Sequence, residues 1–197
     1  MPKAFSEHER ERVKYAMLKV GADLIRKKGI LHVTVEDITK GTHIAKGSFY
    51  AFYPSREALF WDVIKTEEQL LLKKITTVAA ENMDVKIKVK KIFNDLLLQE
   101  DCLVFYLTEK DKEYVSRKLP PELIQSDLES GQAIIRTLLS MCRLDESQES
   151  VEILMSMIHS LQYIASSELI STSSARKKML GILVEAFADH LAKGGGE

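Results

Sequence analysis

Residues 34–59 read TVEDITKGTHIAKGSFYAFYPSREAL, and their spacing places two short helices around a tight turn. Thr34, with Asp37 three positions on, is a pattern that opens a helix by reciprocal capping. That helix breaks near Gly41. A second begins at Ala45 and ends before Pro54, because proline drives the residue ahead of it out of helical backbone. At about 100° per residue, with Phe49 centred on the inward face, Ala45, Phe52 and Tyr53 fall within roughly 60° of it. Ile44 wedges in at the turn. The opposite face carries Gly47, Ser48, Tyr50 and Ala51, with Lys46 at its edge. This layout is a helix-turn-helix, whose second helix fits a DNA major groove.

The outer face is small and polar. A backbone brought close to DNA needs residues such as Gly47 and Ala51, and phosphates need donors such as Lys46, Ser48 and Tyr50. A glycine inside a helix costs about 1 kcal/mol against alanine, so Gly47 calls for a reason, and close approach supplies one.

Outward from this segment, the pattern stays helical. Ser6 and Glu9 form a capping pair that opens a first helix, with the apolar stripe Val13, Met17, Val20, Leu24 and Ile25. Gly29 is its expected left-handed terminus. Ser55 caps a long helix with the stripe Leu59, Val63, Ile64, Leu70, Leu71 and Ile75. VKIKVKKI at 85–92 alternates like a strand but runs into FNDLLL at helical spacing, which predicts helix. Residues 102–119 read as irregular helix. Pro120-Pro121 breaks the chain before a helix over about 121–142. The segment 150–170 is apolar around most of its circumference, so it must be covered on more than one side. A final helix spans about 174–192, followed by a flexible KGGGE tail. The expected fold is all-α: a three-helix DNA-binding domain over 1–54 and a helical regulatory and dimerisation domain over 55–197.

Charge follows the same division. Residues 1–60 hold 11 Lys/Arg against 7 Asp/Glu, a net +4, whereas the remainder is net -5. A basic head on an acidic body suits a DNA-contacting module joined to one that does not touch DNA. No run of apolar residues approaches a membrane span, and no apolar leader precedes the first helix, so a cytoplasmic location is expected. Cys102 and Cys142 lack metal-ligand spacing and read as reduced thiols. His159 has no partner at ligand spacing, so neither metal nor cofactor is expected. GxSxG, P-loop, dinucleotide and HExxH motifs are missing, and the chain does not read as an enzyme.

The segment resembles the N-terminal domain of TetR-family repressors. It carries Gly29, Thr34-Val35, Ile38, Lys46-Gly47-Ser48-Phe49-Tyr50, Phe52-Tyr53 and Ser55-Arg56-Glu57-Ala58-Leu59 in that family's order. It departs at His43, where glycine is usual, and at Ala45, where a capping serine is common. Arg56 stands in place of lysine. The resemblance implies phosphate contacts from Thr34, Lys46, Ser48, Tyr50 and Arg56. It places Lys46, Gly47, Ser48 and Ala51 where base edges could be read, and counts Ala45 among the DNA-binding positions. Few of these side chains can make a bidentate base contact, so recognition would lean on DNA shape and half-site spacing.

The resemblance further implies a homodimer through the last two helices and a ligand pocket in the body. Candidate lining residues are Phe93, Leu97, Phe105, Tyr106, Met155, His159 and Tyr163, an apolar set with a few polar tips. The helix after Ser55 would carry ligand binding to the recognition helix. The function implied is a ligand-responsive repressor on a near-palindromic operator, released by a small hydrophobic effector. A constitutive DNA-binding protein and a helical dimeric adaptor are the alternatives. The first is opposed by the acidic body and the second by the intact donor set.

Overall fold

In the computed structural model, which describes residues 6–167 and 172–194, the secondary structure is entirely helical. α1 runs Glu7–Lys28, α2 Val35–Thr42, α3 Lys46–Phe49, α4 Arg56–Ala80 and α5 Val85–Ile92. α6 follows at Leu103–Tyr106, α7 at Glu109–Ser116, α8 at Pro121–Met141, α9 at Gln148–Ser166 and α10 at Ser173–Gly194. A 3₁₀ turn at Ile30–His32 follows α1, and α5 passes directly into a π-helical turn at Phe93–Leu97. Residues 168–170 of the expected 150–170 helix, and the end of the KGGGE tail, lie outside the described residues.

Local chemistry accounts for the helix starts. Ser6 accepts from the Glu9 amide while Glu9 accepts from the Ser6 amide, a closed capping box. Ser55 accepts from the Ala58 amide at 3.1 Å, Asp84 from Lys86 at 2.8 Å and Ser147 from Ser150 at 3.2 Å. Pro121 opens α8 at the position where its missing N–H is harmless. Gly29 has φ 76° and ψ 152°. Its φ is positive, as expected, but its ψ is extended rather than left-handed helical, a conformation essentially reserved for glycine.

By packing, the chain forms two compact units. One comprises the residues up to 68 together with 109–119; the other comprises 69–108 and the residues from 120 onward. α7, distant in sequence from the helix-turn-helix, therefore packs in the same unit with it, and its Val115 is fully buried there.

The first unit closes on Met17, Ile38, Phe49, Leu59, Phe60 and Val115, each with at most 1% of its surface exposed. Burying side chains of this size contributes about 1.5–3 kcal/mol apiece. α1 and α2 approach closely at Gly41: a Cβ there would stand 2.5 Å from Val20 Cγ1.

The second unit has two apolar clusters. One gathers Val89, Phe93, Leu97, Phe105, Leu161 and Val184 among its buried members. The other gathers Leu139, Val151 and Leu154, with Met155 half-buried against it. Ion pairs from Lys86 to Glu185 at 2.8 Å and Asp189 at 2.6 Å, and from Lys90 to Glu185 at 2.7 Å, tie α5 to α10. Lys88 is buried, and its ammonium donates to the Ala79 carbonyl at 2.6 Å, in the last turn of α4. One residue of the expected α4 stripe departs: Leu70 is 53% exposed. It adjoins Leu71 in sequence, and only Leu71 lies on the face turned to the cluster.

The Gly41 contact yields a prediction. Gly41→Ala should lower stability by about 1–3 kcal/mol, because valine in a helix has one favoured rotamer and cannot swing aside. Adding Val20→Ala should recover part of that loss in thermal unfolding. Equal destabilisation in the single and double variants would show that the contact is not the cause.

Candidate nucleic-acid interface

α2 is fixed at its start by a polar knot. The Thr34 hydroxyl accepts from the Asp37 amide at 3.2 Å, and both the Thr34 hydroxyl and amide donate to the Asp37 carboxylate, at 2.6 and 2.8 Å. Lys28, at the end of α1, donates to the same carboxylate at 2.6 Å. The Lys28 bond, then those of Thr34, hold the Asp37 carboxyl far below its ordinary value. Thr34 is exposed as expected, but its hydroxyl hydrogen is committed to Asp37, so a phosphate would have to displace that partner.

The turn between α2 and α3 is made by His43, with φ 57° and ψ 37°. Histidine tolerates this left-handed conformation better than most residues, and its amide closes onto the Lys40 and Thr39 carbonyls. α3 then occupies a single α-helical turn. The expected helix over 45–53 continues as tighter turns, with Ala51 N–H on the Ser48 carbonyl at 3.2 Å and Phe52 N–H on Phe49 at 2.9 Å. Ala45 offers no side-chain cap, and Pro54 prevents extension at the other end.

The faces of this short segment follow the spacing at Phe49, Tyr53, Gly47, Tyr50 and Ala51 but depart at two positions: Ala45, expected inward, is exposed, and Ser48, expected outward, is half-buried. Phe49 is fully buried and Tyr53 is 4% exposed. Phe52 is half-buried, beneath the Arg10 guanidinium at 5.0 Å. Ala45, Lys46, Gly47, Tyr50 and Ala51 are exposed, and Ser48 is half-buried. The Tyr50 ring meets Phe49 edge-on at 5.3 Å and leaves its outer side in solvent. A Cβ at Gly47 would meet nothing within 4 Å. Packing inside the protein therefore gives no reason for glycine there.

Besides Thr34, two more of the expected phosphate donors are engaged by protein. Lys46 donates to Glu36 at 2.7 Å across the turn. That hydrogen bond raises the Lys46 ammonium above its ordinary value and lowers the Glu36 carboxyl. Both groups are well exposed, so the pair exchanges readily with solvent ions.

Arg56 differs more from expectation. It donates to the Val33 carbonyl at 2.7 Å, to Glu57 at 3.0 Å and to the Tyr114 hydroxyl. That hydroxyl in turn donates to Glu57. The Arg56 side chain is 29% exposed, and its guanidinium lies 5.4 Å from the Tyr114 ring centre. Rather than facing outward, Arg56 is a clasp between α4, the turn after α1 and α7. Val33 and Tyr114 lie far from it in sequence, so no local spacing announces this role. Burial opposes ionisation of Glu57, but the Tyr114 and Arg56 hydrogen bonds outweigh it and hold that carboxyl below its ordinary value.

Residues 17–63 match the family profile of the bacterial regulatory proteins, tetR family. These residues, about a quarter of the chain, carry the N-terminal domain of that family. The likeness in fold extends beyond it. A transcriptional regulator of the TetR/AcrR family superposes with a TM-score of 0.64 at 19% identity, covering 92% of this chain and 99% of its own. FadR of Thermus thermophilus, a TetR-family transcriptional repressor solved with lauroyl-CoA, gives 0.59 at 17% identity, over 93% and 95% of the two chains. RolR, solved with resorcinol, gives 0.57 at 16%, over 95% and 96%. No curated protein sequence matches the chain.

In the second unit, the candidate ligand-lining residues divide. Phe93, Leu97 and Phe105 are buried in one cluster, with Tyr106 packed against it and donating its hydroxyl to the Leu98 carbonyl at 3.1 Å. Met155 belongs to the neighbouring cluster. His159 is exposed and Tyr163 is 64% exposed, so these two leave the set. On α9 they lie on the face opposite buried Leu154 and Leu161, a sorting that all-round apolarity conceals. Among the described residues, no cluster of His, Cys, Asp or Glu could hold a metal, and no helix is long and apolar enough to cross a membrane. Neither cysteine forms a disulfide among the described residues, and burial raises the Cys142 thiol above its ordinary value.

The Arg56 clasp makes a pH-dependent prediction. A depressed Glu57 carboxyl contributes stability above its unfolded value of 4.5 that is lost as pH falls through the lower folded value. Tyr114→Phe should cost about 0.5–1.5 kcal/mol at neutral pH, and its deficit in Tm should shrink below that value. A deficit constant down to acid pH would assign the loss to packing.

Proposed function

We propose that this chain is a homodimeric, ligand-responsive transcriptional repressor that binds a near-palindromic operator through α3. The carrying observation is the exposed outer face of α3, where Lys46, Gly47, Tyr50 and Ala51 reach solvent on a short helix held by an inward Phe49. Gly47, with open space above it, allows the backbone to approach a phosphate or base edge. Lys46 exchanges Glu36 for a phosphate on binding, a trade between two anions that sets affinity without sequence preference. The basic head supports the same reading.

For the dimer, α9 and α10 carry the support. Ile182 is 62% exposed, Tyr163 64% and Ile153 37%, an apolar excess on the two helices at which the resemblance places the partner. Leu183 packs on its own unit's core and is therefore a poor probe of that surface. Two α3 helices related by a two-fold axis would read half-sites about one helical turn apart.

For the effector, the cluster of Phe93, Leu97, Phe105 and Tyr106 supports an apolar ligand with one polar group. FadR and RolR, solved with ligands of different size and polarity, are consistent with an effector in a fold of this kind. Coupling between ligand and operator is typically worth about 1–3 kcal/mol per site and is reciprocal.

Three outcomes are expected. Selection of genomic fragments should return a site bound with a salt slope that falls by about 1 in Lys46→Ala. An unchanged slope would place α3 away from the DNA backbone. Ile182→Asp should yield monomers with little operator binding, checked by sedimentation; a variant that stays dimeric puts the interface elsewhere. An apolar compound that binds the body should bind the operator complex less tightly by the factor by which it weakens the operator. If no compound shifts operator affinity, the constitutive reading replaces this one.

A further inference from the structure

α3 is one turn long, and a single turn does not hold its own direction. Its final carbonyls accept only from the residues just beyond it, Ser48 from the Ala51 amide at 3.2 Å and Phe49 from the Phe52 and Tyr53 amides at 2.9 and 3.1 Å, so the segment 50–53 is closed only by short-range hydrogen bonds. Two cations one turn apart on α1 meet this segment. Arg10 donates to the Ala51 carbonyl at 3.2 Å, and its guanidinium lies 5.0 Å from the Phe52 ring centre. Lys14 lies 5.6 Å from the centre of the Tyr53 ring and pairs with Asp62 of α4 at 3.2 Å. The Tyr53 hydroxyl donates to that same Asp62 oxygen at 3.1 Å. Burial, then Asp62, raises the Tyr53 hydroxyl well above its ordinary value, so it stays a donor.

Arg10 and Lys14 thus stack in register on Phe52 and Tyr53, and Asp62 closes the far end. Positions four apart share one face of a helix, which is why a single side of α1 supplies both cations. A cation set at the C-terminal end of α3 also complements the partial negative charge of its last carbonyls. We propose that Arg10 and Lys14 are positioning residues that fix the direction of the recognition helix from α1, acting through Ala51, Phe52 and Tyr53 without touching DNA. The proposal rests on α3 being the DNA-reading element.

The test uses the full chain with Arg10→Ala, Arg10→Lys and Lys14→Met. Amide hydrogen exchange is read on the free protein, and affinity for a selected genomic fragment is read across a salt series. Arg10→Ala should speed exchange at the Phe52 and Tyr53 amides about tenfold, the equivalent of one charge-assisted hydrogen bond, while α1 amides such as that of Met17 stay protected. Affinity should fall by about the same factor, with the salt slope unchanged. Arg10→Lys should recover part of both effects, and Lys14→Met should show a smaller loss of both.

Unchanged exchange at Phe52 and Tyr53 in Arg10→Ala and Lys14→Met overturns the proposal. So does a salt slope lowered by about 1 in Arg10→Ala, which would make Arg10 itself a phosphate ligand. If Arg10→Ala unfolds, Arg10→Lys and Lys14→Met decide on the same readouts. A wild-type chain that selects no fragment defeats the DNA-binding reading instead, and the exchange measurement still judges the cation ladder.

Discussion

Phe49 is the only fully buried residue of a helix that spans one turn. An isolated helix of that length is far below what nucleation requires in water. Its conformation is therefore dictated by where Phe49 is anchored, and every outward side chain of the segment takes its direction from that anchor. Lys46, Gly47, Tyr50 and Ala51 are exposed because Phe49 is not. The rest of the first unit serves the same constraint. Gly41 lets α1 and α2 close up, His43 turns the chain in a left-handed conformation, and Pro54 with Ser55 ends one helix and starts the next.

The polar contacts around this anchor are of two kinds. The Lys46–Glu36 pair is exposed and contributes little to folding, so it can be exchanged for another anion at small cost. The cluster of Arg56, Glu57, Tyr114 and the Val33 carbonyl is more covered and closes a circuit of donors and acceptors. Breaking one member leaves another without its partner, which is the costly case. It joins α7, far along the chain, to the helix-turn-helix unit.

Most of the fold was legible in the sequence because capping and periodicity act over a few residues. The Ser6–Glu9 and Thr34–Asp37 boxes and the inward set Phe49 and Tyr53 follow from spacing alone. So does helix rather than strand for 85–92. The exposed residues of α3 were legible for the same reason. The partners of Arg56 were not legible, since they come from Val33 and from Tyr114 on another element. His159 and Tyr163 could not be separated from Phe93, Leu97 and Phe105 while α9 looked apolar on every side. Only packing against α6, α8 and α10 reveals which face is inward. Arg10 and Lys14 were invisible as functional residues because a cation on an exposed helix has no signature until an aromatic ring from elsewhere is placed beneath it.

The sequence by itself determined where helices start and stop, which face of α3 turns outward, and that the basic head is a helix-turn-helix. Each of these is settled by backbone chemistry and side-chain periodicity within about two turns of chain. Tertiary structure alone decided which partners the cations take, that α7 packs in the first unit, and how the apolar residues of the second unit divide between two clusters. The reason is that charge pairing and burial depend on distances between segments remote in sequence, and those distances exist only once the chain has folded.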